Sequence, residues 1–221
     1  MRTDATRLES VNPAELPAGG VGVAAIELAA RWIARGRRLE MQGLADELQV
    51  SRVTLFRNIG TRDELLGEAL WLLTDQTLQL AARRWAIERR DGELFSIGTG
   101  RHINALVSRS SALHALLDRE PALTLKVLTD PRGRVQTGVV AFVEELLRRD
   151  MFEHGFVPII DPGDLAFALV RLGESFLYAD VLAARTPDAD AANRIQQMLI
   201  EGHRPTSVLT HPATSFERIR R

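Results

Sequence analysis

Residues 39–66, LEMQGLADELQVSRVTLFRNIGTRDELL, constrain this chain more than any other stretch. Apolar residues at helical spacing give a short helix from Met41 to Leu48, with Leu44, Ala45 and Leu48 on its inner side. Ser51 is placed to cap a second short helix, SRVTLFRNI, which keeps an apolar side inward and leaves Arg52, Thr54 and Arg57 pointing out. Thr61-Arg62-Asp63-Glu64 is a capping box with two acids in the first turn of a third, longer helix. Two short helices, a tight turn and an outward polar face are the construction of a helix-turn-helix, whose second helix enters a DNA groove.

The rest of the chain reads as helices too. Ala25, Leu28, Ala29, Trp32 and Ile33 predict a helix that Gly36 ends. The helix opened by the capping box extends from Asp63 to about Trp85. Further helices are predicted over 94–107, 112–119, from Pro121, over 135–153, 162–184 and 188–200, with breaks at 89–93, Pro131–Gly133 and Gly155. No segment sustains β alternation, so the expected class is all-α, with about nine helices. Residues 1–18 are expected to form a mobile arm and 203–221 a loosely ordered tail.

Charge placement bears on what the helix-turn-helix faces. The net charge of the 221 residues is −1, which argues against a uniformly basic coat. Between Arg31 and Arg62, however, seven arginines stand against Glu40, Asp46 and Glu47, a local net of +4. That asymmetry fits one module facing phosphates and a second facing something else. Short side chains at Ser51 and Val53 would let the helix approach a groove ~12 Å wide. Arg52 and Arg57 suit guanine edges or phosphates; Thr54 and Phe56 suit phosphates or thymine methyls. Arg62, at a helix N-terminus, and Gln42, in a first helical turn, are placed for phosphate contacts. The competing reading of the same residues is an αα-hairpin with a solvated basic face, an all-α adaptor that binds an acidic protein and reads no sequence.

Enzymatic readings lack support. With no cysteine, thiolate chemistry and disulfides are excluded. The histidines (102, 114, 154, 203, 211) are not spaced by four, so no HExxH metal site is expected. SIGTGRH holds a GxG without a preceding strand, and GESF lacks a nucleophile elbow. No cofactor and no catalytic group are expected. No run approaches the ~20 apolar residues of a membrane span, and the first twenty residues lack a signal-peptide core, so a cytoplasmic location is expected.

LADELQVSRVTLFRNIGTRDELL, preceded by Gly36, resembles the N-terminal signature of TetR-family transcriptional regulators. Leu44-Ala45 matches the paired apolar residues of the family's first motif helix, and Val50-Ser51 its turn. Thr54-Leu55-Phe56 matches its Thr-Leu-Tyr run, and Arg62 its phosphate-holding base. Gln49 stands where the family usually has Gly, and Ile59 where it usually has Phe. The resemblance implies a three-helix DNA-binding domain over 19–66 and a helical effector-binding and dimerisation domain over 67–202. The implied partners are a double-stranded operator, a small-molecule effector and a second copy of the chain. The copy would pair through the last two long helices, where Ala166, Ala168, Gly173, Ala179 and Ala183 either permit close approach or pack within one subunit.

An effector pocket is expected between the long connecting helix and those after it. Trp71, Phe95, Phe142, Phe176 and Tyr178 suit its wall, and each equally suits a core. His102, Asn104, Glu174 and Tyr178 are polar groups set among apolar helical neighbours, where burial without a partner is costly. A mostly apolar wall implies a small, largely apolar effector. VTLFRNIGTRDELLGEALWLL also resembles the actinobacterial QsdR-type subgroup, associated with lactone catabolism, which implies a γ-lactone or acyl-chain effector.

Overall fold

The computed structural model describes residues 20–202, and within them every regular element is an α-helix. They are α1 Gly20–Ala34, α2 Met41–Glu47, α3 Arg52–Ile59, α4 Arg62–Glu88, α5 Phe95–Ser108, α6 Ser111–Arg119, α7 Pro121–Thr129, α8 Arg134–His154, α9 Pro162–Leu177, α10 Ala179–Ala183 and α11 Ala189–Glu201. The arm over 1–18 and the tail over 203–221 lie outside the described residues.

The described residues form eleven helices, against the expected nine or so. One difference is a break in the helix expected over 162–184. Tyr178 leaves helical geometry at φ −109° and ψ 24°, and Ala184 ends α10 in the left-handed region at φ 50°. No glycine or proline marks the break. The carbonyl of Phe176 instead accepts the N–H of Asp188 at 3.2 Å, which folds the chain back towards α11.

Local chemistry explains most helix ends. Thr61 and Glu64 form the complete capping box of α4. Asp161 caps α9, with Pro162 at its first position, and Asp188 caps α11. α5 has no cap of its own, since Leu94 precedes it. Asp150, fully buried on α8, supplies one from across the bundle: its carboxylate accepts the N–H groups of Phe95 at 2.6 Å and Ser96 at 2.9 Å.

α4 runs through the molecule, packing on α1, α5, α7 and α8. One apolar cluster joins Ala25, Leu44, Leu55 and Leu66 of the N-terminal helices to Leu116, Leu128, Leu177 and Tyr178. The first three helices therefore share a core with the helices behind them. Two glycines let aromatic rings come close. A Cβ on Gly98 would lie 1.9 Å from the Trp85 ring, and one on Gly138 would lie 2.1 Å from Trp71. No helix among the described residues is long and apolar enough to cross a membrane.

Candidate nucleic-acid interface and effector cavity

α3 is held by one face. Leu55 is fully buried, and Val50 and Ile59 pack partly buried against the same core. The opposite face carries Arg52, Val53, Phe56 and Arg57, all exposed, with Val53 at 60% and Phe56 at 54%. An apolar side chain left this open on a short amphipathic helix is a contact surface or a liability. Arg52 and Arg57 have no ion-pair partner among the described residues, whereas Arg37 pairs with Glu47 and Arg38 with Glu40. Exposed Arg31 and Arg35 on and after α1 are likewise without an acidic partner there.

The turn before α3 takes its shape from the end of α2. The N–H of Val50 bonds to the carbonyl of Ala45 at 2.9 Å and that of Gln49 to Asp46 at 3.1 Å, a Schellman closure. That closure needs a left-handed residue, and Gln49 takes it at φ 55°. Ser51 then caps α3. Its Oγ accepts the Thr54 N–H at 3.0 Å and shares a 2.8 Å hydrogen bond with Thr54 Oγ1. Gln42 lies exposed, donating to Asp46 at 2.8 Å.

Arg62 is placed differently from the expectation. It is only partly exposed; its Nε donates to the carbonyl of Leu39 at 2.8 Å and its guanidinium to Glu120 Oε1 at 2.6 Å. That hydrogen bond holds the Glu120 carboxyl below the usual carboxylate range. Arg119 adds a second link, donating to the carbonyl of Gly36 at 3.0 Å. The α6–α7 junction is thus tied to the segment between α1 and α2 directly at Gly36 and, through Arg62 of α4, at Leu39. Neither Arg119 nor Glu120 stood out in the sequence, because their partners lie 83 and 58 positions away.

A cavity of about 380 Å³ opens among α4, α5, α8, α9 and α11. Leu73, Ile97, Val139, Val143 and Leu169 are among its mostly apolar lining. Asn104, Glu174, Tyr178 and Gln196 bring polar atoms to the same wall. Asn104 donates to Asn193 at 2.7 Å and to Gln196 at 2.8 Å, and Gln196 donates to the Leu169 carbonyl at 2.8 Å. Gln136, with its amide turned to satisfy both neighbours, donates to Glu174 Oε1 at 2.6 Å and to the Leu128 carbonyl at 3.2 Å. Glu174 Oε2 is buried and pairs with Arg171 Nη1 at 2.8 Å. Burial pushes the Glu174 carboxyl up to about 7, against the smaller pull of Arg171. Burial and the neighbouring Glu174 likewise raise the Tyr178 phenol.

Of the residues singled out in the sequence, Asn104, Glu174 and Tyr178 lie on the cavity wall, and five others do not. Trp71 is spent on Gly138 of α8. Phe95 and Phe142 pack with Trp85 and Leu146, and the guanidiniums of Arg149 and Arg89 stack 3.4 and 3.9 Å from the Phe95 ring centre. His102 turns to Glu88 at 3.1 Å. Phe176 sits half-buried at the end of α9, outside the wall. In their place stand Leu, Ile and Val side chains of α4, α5 and α8, which periodicity cannot separate from ordinary core.

The outer side of α9 and α11 carries Phe167 at 52% exposure, Ile195 and Met198, beside exposed Ala168. Ala166, Gly173 and Ala179 are buried within the subunit, while Ala183 is exposed. Among the described residues no cluster of three or more potential ligands could hold a metal.

A family model described as the tetracyclin repressor-like C-terminal domain matches residues 91–201. Among solved structures, the chain is similar to the R. erythropolis transcriptional repressor QsdR from the TetR family. The two are 28% identical with a TM-score of 0.74, over 84% of this chain and 96% of that one. A TetR-family regulator from Thermus thermophilus, PfmR, aligns at 19% identity and a TM-score of 0.40, over 82% of this chain and 97% of that one. No curated protein matches.

Proposed function

The chain belongs to the TetR family of transcriptional regulators, and from that premise we propose that it is a homodimeric repressor released from a palindromic operator by a small, largely apolar effector. The observation that carries this reading is the outward face of α3, where Arg52 and Arg57 stand exposed without acidic partners beside open Val53 and Phe56. Each subunit lays α3 in one major groove. Arg52 and Arg57 meet base edges or phosphates, Val53 and Phe56 meet thymine methyls, and Ser51, Thr54 and Gln42 approach the phosphate strand. Two such heads on a two-fold axis require a matching repeat in the DNA. The exposed apolar side of α9 and α11 supplies the subunit contact, with Phe167 and Met198 at its centre.

Release follows from the shared core and the two arginine links. An effector in the cavity touches α4 directly, and its neighbours α6 and α7 hold the reading head through Arg62–Glu120 and Arg119–Gly36. By linkage the effector must favour the DNA-incompetent arrangement, typically by about 1–3 kcal/mol. The effector classes to try are γ-lactones and acyl compounds, in keeping with the similarity to QsdR. The test is a gel shift on the gene's own upstream DNA followed by titration of those compounds. Affinity for that duplex should exceed that for scrambled duplex by ~10³ or more and fall steeply with salt. A salt effect without sequence preference would favour the adaptor instead.

A further inference from the structure

Among the hydroxyl groups of the cavity wall, one is both buried and idle. Ser96 donates to Asp150 and Thr77 to the Leu73 carbonyl, while Thr74 and Ser110 lie half-buried. Tyr178 is buried, at 8% exposure, and its hydroxyl makes no hydrogen bond with any described residue. Glu174, one turn earlier on α9, does not take it; its oxygens are turned to Gln136 and Arg171. Nor is the phenol oxygen sealed off. Among the described residues, the side-chain oxygens with neither a hydrogen bond nor accessible surface are Thr99 Oγ1 and Glu174 Oε2. On a buried side chain that forms part of the cavity wall, the surface this oxygen keeps faces the cavity. Burial holds the phenol in its protonated form, so it is a donor.

A buried tyrosine hydroxyl ordinarily has a partner, and a buried donor left unmade is costly. A wholly apolar occupant of the cavity leaves this one unmade; an occupant that brings an oxygen acceptor does not. We propose that the Tyr178 hydroxyl is the recognition donor of this cavity, and that the effector is a neutral molecule with a carbonyl oxygen for it and an apolar body along α4, α5 and α8. A carboxylate in the same place would lose its water against Leu and Val side chains without gaining a buried cation. Arg101, the cation of the wall, is exposed and stacks 5.2 Å from the Trp85 ring centre. Tyr178 also separates α9 from α10 and packs in the apolar cluster that reaches Ala25 and Leu66. A ligand held by this hydroxyl therefore bears on the core that the cavity shares with the helix-turn-helix. The inference rests on the effector-regulator reading above.

The chain holds a single tyrosine, so labelling its phenol carbon Cζ with carbon-13 gives a single NMR signal, which moves downfield when the hydroxyl donates. Titration of the full chain with γ-nonalactone should move that signal downfield. Pentylbenzene, with the same alkyl chain and no oxygen, should not. In calorimetry, Tyr178→Phe should weaken lactone binding about five- to tenfold, the size of one neutral hydrogen bond, and leave pentylbenzene binding unchanged or tighter. The carbon signal is read on the wild-type protein and stands even if that variant folds poorly. A lactone that binds both proteins equally, leaves the signal in place, or fails to bind the wild type overturns the assignment. So does an equal loss for pentylbenzene, which would make the variant a packing defect. A gel shift run beside it keeps the two readings apart. Tyr178-dependent lactone binding without operator release sinks the regulator mechanism alone, and operator release that Tyr178→Phe leaves unchanged sinks this one alone.

Discussion

Asp150 of α8 accepts both the N–H and the hydroxyl of Ser96, at 2.9 and 2.6 Å, and so caps a helix that begins 55 positions earlier. With the Phe95 N–H, three donors converge on one fully buried carboxylate. Ser96 lies on the cavity wall, so this cap also sets where α5 presents its side chains.

Asp150→Ala should therefore destabilise the protein by about 3 kcal/mol or more, because it strands three buried donors at once. Asp150→Asn, which keeps one acceptor oxygen, should lose roughly half as much. Urea unfolding followed by circular dichroism measures both, and a loss under about 1 kcal/mol for the alanine variant would contradict the cap.

Gln49 occupies a left-handed position that the Schellman closure of α2 demands. Gln49→Gly should raise stability by about 0.5–1 kcal/mol, the relief of the Cβ clash exceeding the extra freedom of the unfolded chain. Gln49→Val should lower it by a similar amount or more. The thermal midpoints of the two variants should move in opposite directions.

The Arg62–Glu120 pair has a pH signature. Its folded carboxyl is held below its ordinary value, so the stability it contributes is present above the ordinary carboxylate range and is lost as pH falls through the folded value. Glu120→Gln should lower stability by about 1–2 kcal/mol near neutrality. The difference from wild type should begin to shrink in the ordinary carboxylate range and vanish only once pH has fallen below the lowered folded value. A difference that persists unchanged in acid would mean that packing, and not the ion pair, is responsible.

Glu174 behaves in the opposite sense. Its folded carboxyl is raised to about 7, so the folded state binds the extra proton and stability falls as pH rises from the ordinary carboxylate value towards 7. Glu174→Gln should flatten that part of the stability profile and be relatively more stable above pH 7. Parallel profiles for the two proteins would refute the burial argument.

On DNA, Arg57→Ala should cost about 1–3 kcal/mol of operator affinity and relax discrimination at one base position. Uniform weakening across operator and scrambled duplexes, with a salt slope lower by about 1, would make Arg57 a phosphate contact. Competition gel shifts at two salt concentrations separate the outcomes.

The helix-turn-helix was legible because its signals are local. Ser51 capping Thr54, the box of Thr61 and Glu64, and the inward Leu44 and Leu55 all act within one or two helical turns, where residue order and spatial neighbourhood coincide. Even the strained turn was visible, as a glutamine where a left-handed residue was needed. The cavity was legible only in its oddest members, Asn104, Glu174 and Tyr178, since a polar group on an apolar helix face is rare enough to notice. Trp71, Phe95 and Phe142 misled because size and apolarity suit a core as well as a pocket.

The amino-acid order alone thus determined the all-helical class and the exposed face of α3, because caps and helical periodicity are short-range. What only the tertiary structure decided was partnership across the chain. Arg62 meets Glu120 instead of standing free, Asp150 caps a foreign helix, and Glu174 is held between Gln136 of α8 and Arg171 beside the cavity. Those outcomes depend on how whole helices pack, and packing brings together residues that the sequence keeps tens of positions apart.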